Sequence, residues 1–222
     1  MSMSGNGTQP FAAERGSMVE NQLRQRGIRD ERLLAAMSKV PRHEFVSPQN
    51  WTEAYADHPI PIAEQQTTSQ PYMIAAMIQA AQIKAEDRVL EIGAGSGYQT
   101  ALLAELASQV FAVERYASLS ETARNTLERL DCRNVKVVTG DGSLGLPSDA
   151  PFDAIIVSAA APRIPQALVE QLAIGGRLVV PVGESDQQVV HLVERQQDGT
   201  INVKTLEGCR FVPLIGEHGF AA

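Results

Sequence analysis

Three observations on the 222-residue sequence predict a doubly wound α/β fold with a mostly parallel, seven-stranded sheet. After about residue 84, short β-branched runs alternate with amphipathic stretches, the rhythm of repeated βαβ units. One run, Ala154-Ile155-Ile156-Val157, is apolar without interruption, as suits a strand covered by helices on both faces. Another, ending at Ile92, passes directly into a glycine-rich turn and then a helix-like stretch, the kind of join at which such sheets hold ligands.

Taken in order, residues 1–16 are polar and rich in small side chains without a helical period, which predicts a flexible leader. Residues 17–222 then form a single domain: a helical part over 17–84 and an α/β core over 85–222. Apolar residues at helical intervals predict helices over 18–26 and 30–40, the second ended by Pro41. Ser69 before Gln70-Pro71 has the form of an N-cap, with Met73, Ile74, Met77 and Ile78 on one face of the following helix. Strands are expected at 88–92, 110–113, 135–138, 153–158 and 177–182, and helices at 100–107, 118–130 and 165–172. Two more strands, 187–194 and 201–209, are joined through Asp198-Gly199 and extend the sheet at one edge.

Charge narrows the choice of partner. Nineteen basic and 26 acidic residues give a net charge of −7, which provides no field for gathering nucleic acid or anionic lipid. No apolar run approaches the roughly 20 residues of a membrane-spanning helix. Cys132 and Cys209 are the only cysteines and lie far apart, so neither a disulfide framework nor a metal knuckle is expected, and the setting is cytoplasmic. His43, His58, His191 and His218 show no ligand spacing, and no metal is assigned.

The richest stretch is Gly93-Ala94-Gly95-Ser96-Gly97, a GxGxG turn that allows close approach of a small ligand to the backbone. Tyr98 stands where the third glycine of a dinucleotide fingerprint would fall, which disfavours a pyrophosphate at the helix start. A tight turn serving packing alone is the competing explanation. Glu114, at the end of the next strand and 19 positions after Gly95, is placed to accept hydrogen bonds from both ribose hydroxyls. Gly140-Asp141-Gly142 follows the third strand, where the carboxylate would accept from an adenine amine unless it serves only a turn.

These segments, with others, resemble the protein-L-isoaspartate O-methyltransferase family of class I S-adenosylmethionine-dependent methyltransferases, which have a Rossmann-like fold. The resemblance spans nearly all the chain after the leader. It rests on Val40-Pro41-Arg42-His43-Glu44-Phe45-Val46, Ala54-Tyr55-Ala56-Asp57, Pro59-Ile60-Pro61-Ile62 and Gln66-Thr67-Thr68-Ser69-Gln70-Pro71-Tyr72. It rests also on the glycine loop, Gly140-Asp141-Gly142, Ala159-Ala160-Ala161-Pro162 and Arg210-Phe211-Val212-Pro213-Leu214. It implies transfer of a methyl group from S-adenosyl-L-methionine to the free α-carboxylate of L-isoaspartyl residues in damaged peptides and proteins. The ester then collapses to a succinimide, whose hydrolysis restores some normal aspartate.

By the same resemblance Ser69 is the active-site serine, assisted by Thr67, and Glu114 the ribose acid. Asp141 and Gly142 contact adenine, and Gly93, Ala94, Gly95, Ser96 and Gly97 hold the methionine end, with Glu91 and Arg115 counted among the cofactor residues. Asp57, Gln66, Ala161, Pro162 and Arg210 fall on the substrate side. One position departs from the pattern: Gln65 stands where the family usually has Gly, which leaves the shape of that loop open.

The residues agree with such chemistry on their own terms. A carboxylate of reference pKa near 4 is ionised at neutral pH and needs no general base, whereas an amine or ring carbon must be activated. Ser158-Ala159-Ala160-Ala161-Pro162 lacks the Asp/Asn-Pro-Pro-aromatic segment associated with methyltransferases of adenine and amide nitrogen, and no Pro-Cys nucleophile for cytosine carbon chemistry is present. Ser69 has no adjacent base, so its expected role is hydrogen bonding to the substrate, with helix capping as the rival. Arg210 is either a carboxylate-attracting cation or a plain salt-bridge partner, and Asp57 either a cleft residue or a surface acid. Methylation of another small nucleophile, or a scaffold that binds the cofactor without turnover, remain the competing functions.

Overall fold

The computed structural model describes residues 10–184 and 187–221. It opens with α1 (Ala12–Ser17) and α2 (Glu31–Lys39). α1 lies inside the segment expected to be a flexible leader, because Phe11 packs against the core and Arg15 is buried. The Arg15 Nε donates to the Ser38 carbonyl at 2.7 Å. Of the expected leader, residues 1–9 lie outside the described residues. Between the two helices Met18–Leu23 is a π-helix and Arg24–Arg26 a 3-10 turn, rather than one α-helix. The wider turn aligns Met18 with Leu23, five residues on, and both are fully buried. Asp30 caps α2, its side chain accepting from the Arg32 and Leu33 N–H groups.

Next comes an element the sequence does not announce, a hairpin of β1 (Ile60–Pro61) and β2 (Thr67–Thr68), paired antiparallel. Two-residue strands carry no readable alternation. β2 leads into α3 (Pro71–Ala81), whose N-cap is Gln70, not Ser69. Proline at the first helical position fixes the boundary one residue later than the serine suggests. The apolar face of α3 is as expected, with Met73, Ile74, Met77 and Ile78 buried.

The remainder is the βαβ core: β3 (Arg88–Ile92), α4 (Tyr98–Leu106), β4 (Gln109–Glu114), α5 (Ala117–Arg129), β5 (Val135–Thr139), β6 (Phe152–Val157), α6 (Gln166–Glu170), β7 (Leu172–Glu184), β8 (Gln187–Arg195) and β9 (Ile201–Cys209). The expected helix over 165–172 is shorter because Leu172 already pairs with Phe152. The seven strands run in the order β5-β4-β3-β6-β7-β8-β9, parallel from β5 to β7 and antiparallel for the last two. Alternation along the strands sends Val89, Ala154 and Ile156 to one apolar cluster and Leu90, Ile92, Ile155 and Val157 to the other. Both faces are therefore dry. The winding reverses at β3, so the carboxyl ends of β3 and β6, Ile92 beside Val157, flank the crevice of the sheet.

Candidate active site

Past Ile92 the chain turns through Gly93, Gly95 and Gly97 at φ of 84°, 55° and 91°, a region glycine enters without a Cβ penalty. The Gly93 N–H donates to the Val113 carbonyl at 2.8 Å, folding the loop across the end of β4. Gly97 serves packing: a Cβ there would lie 3.2 Å from the Ala123 Cβ on α5. Gly93 and Gly95 instead border a cleft at the strand ends, and Ile62 from the β1–β2 loop approaches Gly95 from above. Ala94 and Ser96 line an inner compartment of the same cleft.

Glu114 ends β4 with only 5% of its surface exposed. Its Oε2 accepts from the Gly95 N–H at 2.9 Å and its Oε1 from the Tyr116 N–H at 3.0 Å. The carboxylate is thus fixed at the cleft wall by two backbone donors, and each oxygen retains a lone pair for a guest. Arg115 and Tyr116 complete that wall, the guanidinium lying 4.9 Å from the Tyr116 ring. Glu91 sits beneath the glycine loop, wholly buried, and accepts from Gln99 Nε2 at 3.0 Å and Thr100 Oγ1 at 2.5 Å. Burial pushes its pKa up to about 8, against the pull of those two hydrogen bonds. Its hydrogen bonds go to α4, and the residue also lines the inner compartment of the cleft.

Asp141 behaves differently from the sequence expectation of an adenine contact. One oxygen accepts from the Ser143 N–H and hydroxyl at 2.8 and 2.7 Å, and the other from the Glu217 N–H at 2.8 Å. Burial works to raise its pKa, but those hydrogen bonds outweigh it and hold the carboxyl below its usual range. The carboxylate fastens the C-terminal segment. Gly142 does border the cleft, and a Cβ on it would strike the Ile92 Cγ2 at 2.5 Å, so the backbone packs directly on β3.

Thr67 and Ser158 border all three compartments of the cleft, and beyond them lies a part lined by Ser69, Met73, Arg210 and Phe211. The Ser69 hydroxyl caps nothing and has no hydrogen-bond partner among the described residues, though its carbonyl accepts from Arg42 at 2.7 Å. Arg210 is exposed and forms no ion pair among the described residues. No Asp, Glu or His side chain lines this outer part. Its polar lining is the hydroxyls of Thr67, Ser69 and Ser158, Gln70, the cation of Arg210 and Cys209, whose thiol burial pushes up to about 11.

Not every expected substrate residue reaches the cleft. Asp57 pairs with Arg26 and accepts from the Tyr72 N–H at 3.0 Å, so both oxygens support α3. Ala161 is fully buried, its N–H donating to the Pro181 carbonyl at 2.9 Å, and Pro162 lies on the surface. Gln66 does line the cofactor side, while its amide donates to the Glu64 carbonyl at 2.9 Å. Gln65 adopts φ of 56°, a left-handed conformation, so the loop keeps a glycine-like turn with a side chain in place.

Ser158 and Ala159, absent from the expected site, line the cleft, and Gln99 Nε2 donates to the Ser158 hydroxyl at 2.9 Å. Their position just past β6 was the available signal. Val212 to Ile215 also line it. That tail is stitched to the strand end by Ala160, whose N–H donates to Val212 at 2.8 Å and whose carbonyl accepts from Leu214 at 2.7 Å. Among the described residues there is no cluster of three or more His, Cys, Asp or Glu side chains able to hold a metal ion, and no helix long and apolar enough to cross a membrane.

Comparison with known proteins gives a concordant set. Residues 13–219 match the family described as protein-L-isoaspartate(D-aspartate) O-methyltransferase. A protein-L-isoaspartate O-methyltransferase of Koribacter versatilis is 54% identical over 211 residues, covering 95% of this chain and 95% of that protein. One from Methanoculleus marisnigri is 53% identical over 212 residues, covering 95% and 96%. Among solved structures, a protein-L-isoaspartate O-methyltransferase superposes with a TM-score of 0.82 at 29% identity, covering 92% of this chain and 67% of that one. A candidate enzyme of the same kind from Plasmodium falciparum, in complex with S-adenosyl-L-homocysteine, gives 0.79 at 27% identity, covering 90% and 98%.

Proposed function

Because this chain belongs to the protein-L-isoaspartate(D-aspartate) O-methyltransferase family, we propose that its cleft lines up an isoaspartyl α-carboxylate with the methyl group of S-adenosylmethionine. The observation that carries this reading is the outer cleft itself, with Ser69, Thr67, Ser158 and Arg210 and no acidic or basic catalyst. An anion fits there, and a nucleophile that required deprotonation would find no base.

The inner cleft suits the donor. Glu114 offers a fixed carboxylate for vicinal ribose hydroxyls, Ile92 and Val113 an apolar wall, and Gly93 and Gly95 a backbone that a ligand can approach closely. When bound, S-adenosylmethionine supplies a methyl group already activated on a sulfonium. The protein's work is alignment, which is worth several kcal/mol when reacting atoms are held about 3 Å apart. Ser69 Oγ–H donates to one carboxylate oxygen and leaves the other free to attack, while Thr67 orders the hairpin end. Arg210 draws the anionic peptide group toward the outer rim. The β1–β2 loop, through Ile62, excludes water above the glycine turn. The methyl ester product then closes to a succinimide without further help from the chain.

Residues 17–84 form the substrate-covering part and residues 85–222 the cofactor-binding part of one domain in this reading. The partners are isoaspartyl peptides and proteins rather than nucleic acid, supported by the net charge of −7. Two free cysteines support a cytoplasmic setting. Incubation with labelled S-adenosylmethionine and matched peptides tests the assignment: the isoaspartyl peptide gains label and its aspartyl counterpart does not. Equal labelling of the two sinks the specificity.

A further inference from the structure

Arg42 has no exposed surface and no carboxylate within salt-bridge distance among the described residues. Its Nη2 donates to the Ser69 carbonyl at 2.7 Å, its Nη1 reaches the Thr68 hydroxyl at 3.5 Å, and its guanidinium carbon lies 4.7 Å from the Tyr98 ring centre. The Nε is buried with no hydrogen-bond partner among the described residues, and so is the Tyr98 hydroxyl. A buried cation with no carboxylate in contact, Asp57 acting on it only from a distance, is a poor stabilising device, since desolvation costs several kcal/mol and an apolar side chain of equal volume packs without it. The group sits immediately behind Ser69, whose hydroxyl has no hydrogen-bond partner among the described residues and which lines the outer cleft.

We infer that Arg42 is the positioning residue for Ser69: its fork grips the Ser69 carbonyl and the Thr68 hydroxyl, fixes the junction between β2 and α3, and so aims the Ser69 hydroxyl into the cleft. Gln70 gives the start of α3 no side-chain cap, and the support from Asp57 reaches only the Tyr72 N–H, so Arg42 is the side chain that holds Ser69 itself. The positive charge, which no carboxylate contacts directly, also makes the neighbouring cleft favourable to an anion, in keeping with a carboxylate acceptor. This inference rests on the reading of Ser69 as a substrate-orienting group.

Two variants and one double variant test it. Arg42→Lys keeps the charge but loses the planar fork, and Arg42→Met keeps the aliphatic bulk alone. With the isoaspartyl peptide, kcat/KM falls about tenfold for Arg42→Lys and further for Arg42→Met, while the Kd for S-adenosylhomocysteine stays within about twofold of the unsubstituted enzyme. In a Ser69→Ala background, Arg42→Lys lowers kcat/KM by less than about twofold, since the residue acts through the serine. Unchanged kcat/KM in Arg42→Lys and Arg42→Met overturns the inference, as does a full additional loss in the Ser69→Ala background. Failure of both single variants to fold or to bind S-adenosylhomocysteine assigns Arg42 to general stability and likewise overturns it. Absence of labelling by the unsubstituted enzyme is a separate result, which removes the reading of the reaction and this inference with it.

Discussion

Ser69 carries a hydroxyl that the fold leaves unused, and that makes it a clean probe of function. Ser69→Ala is expected to lower kcat/KM for an isoaspartyl peptide at least about tenfold while changing stability by less than about 0.5 kcal/mol. Full activity together with a shifted melting temperature would return the serine to a structural role. Gln65 presents the opposite case, a residue whose backbone φ of 56° suits glycine better. The left-handed conformation costs a side-chain-bearing residue about 1 kcal/mol, while glycine raises the entropy of the unfolded chain by a comparable or smaller amount. Gln65→Gly should therefore leave the melting temperature level or slightly higher, and Gln65→Val should lower it. A fall with Gly and none with Val would show that φ at this position is not what limits the loop.

At the scale of the element, α3 is held at its N-terminus by a group from elsewhere in the chain. Asp57 accepts from the Tyr72 N–H and pairs with Arg26, which in turn lies 3.5 Å from the Tyr72 ring centre. Removing the carboxylate leaves a helix start without its acceptor, a loss of about 1 kcal/mol. Asp57→Ala should lower the melting temperature by about 2–4 °C, the shift such a loss produces in a domain of this size. Asp57→Asn, which keeps one acceptor oxygen, should lower it less. A tenfold rise in KM for the peptide with no thermal effect in either variant would place Asp57 in the cleft instead. This acid is visible in the sequence as a charge between Tyr55 and Pro59, but its partner lies fifteen residues away across a hairpin that no periodicity marks.

Across the whole molecule, Glu91 couples stability to pH. Its pKa stands at about 8 in the folded protein against an ordinary 4.5, because burial disfavours the ionised form more than Thr100 and Gln99 favour it. The folded protein then keeps a proton that the unfolded chain has released, so the contribution of Glu91 to stability falls as pH rises between those two values and is constant outside them. Glu91→Gln removes this contribution. Thermal melts from pH 5 to pH 8 should therefore show a shallower decline for the variant than for the unsubstituted protein, and parallel curves would deny that Glu91 is the group responsible.

The sequence alone determined the α/β core, because β-branched runs and amphipathic intervals are local patterns: all seven strands of the sheet were placed, six with ends within one residue, while β7 begins five residues earlier than expected. It also placed the glycine turn and Glu114, since strand, turn and acid follow one another along the chain. Only the tertiary structure decided that Asp141 fastens the C-terminal segment, that Ala161 is buried between that segment and β7, and that Ser158 joins Ser69 at one cleft. Each of those depends on pieces distant in sequence meeting at the sheet's carboxyl edge. A hydrogen-bonding side chain has its role set by whichever partner the packed fold brings within reach, which no neighbouring residue records.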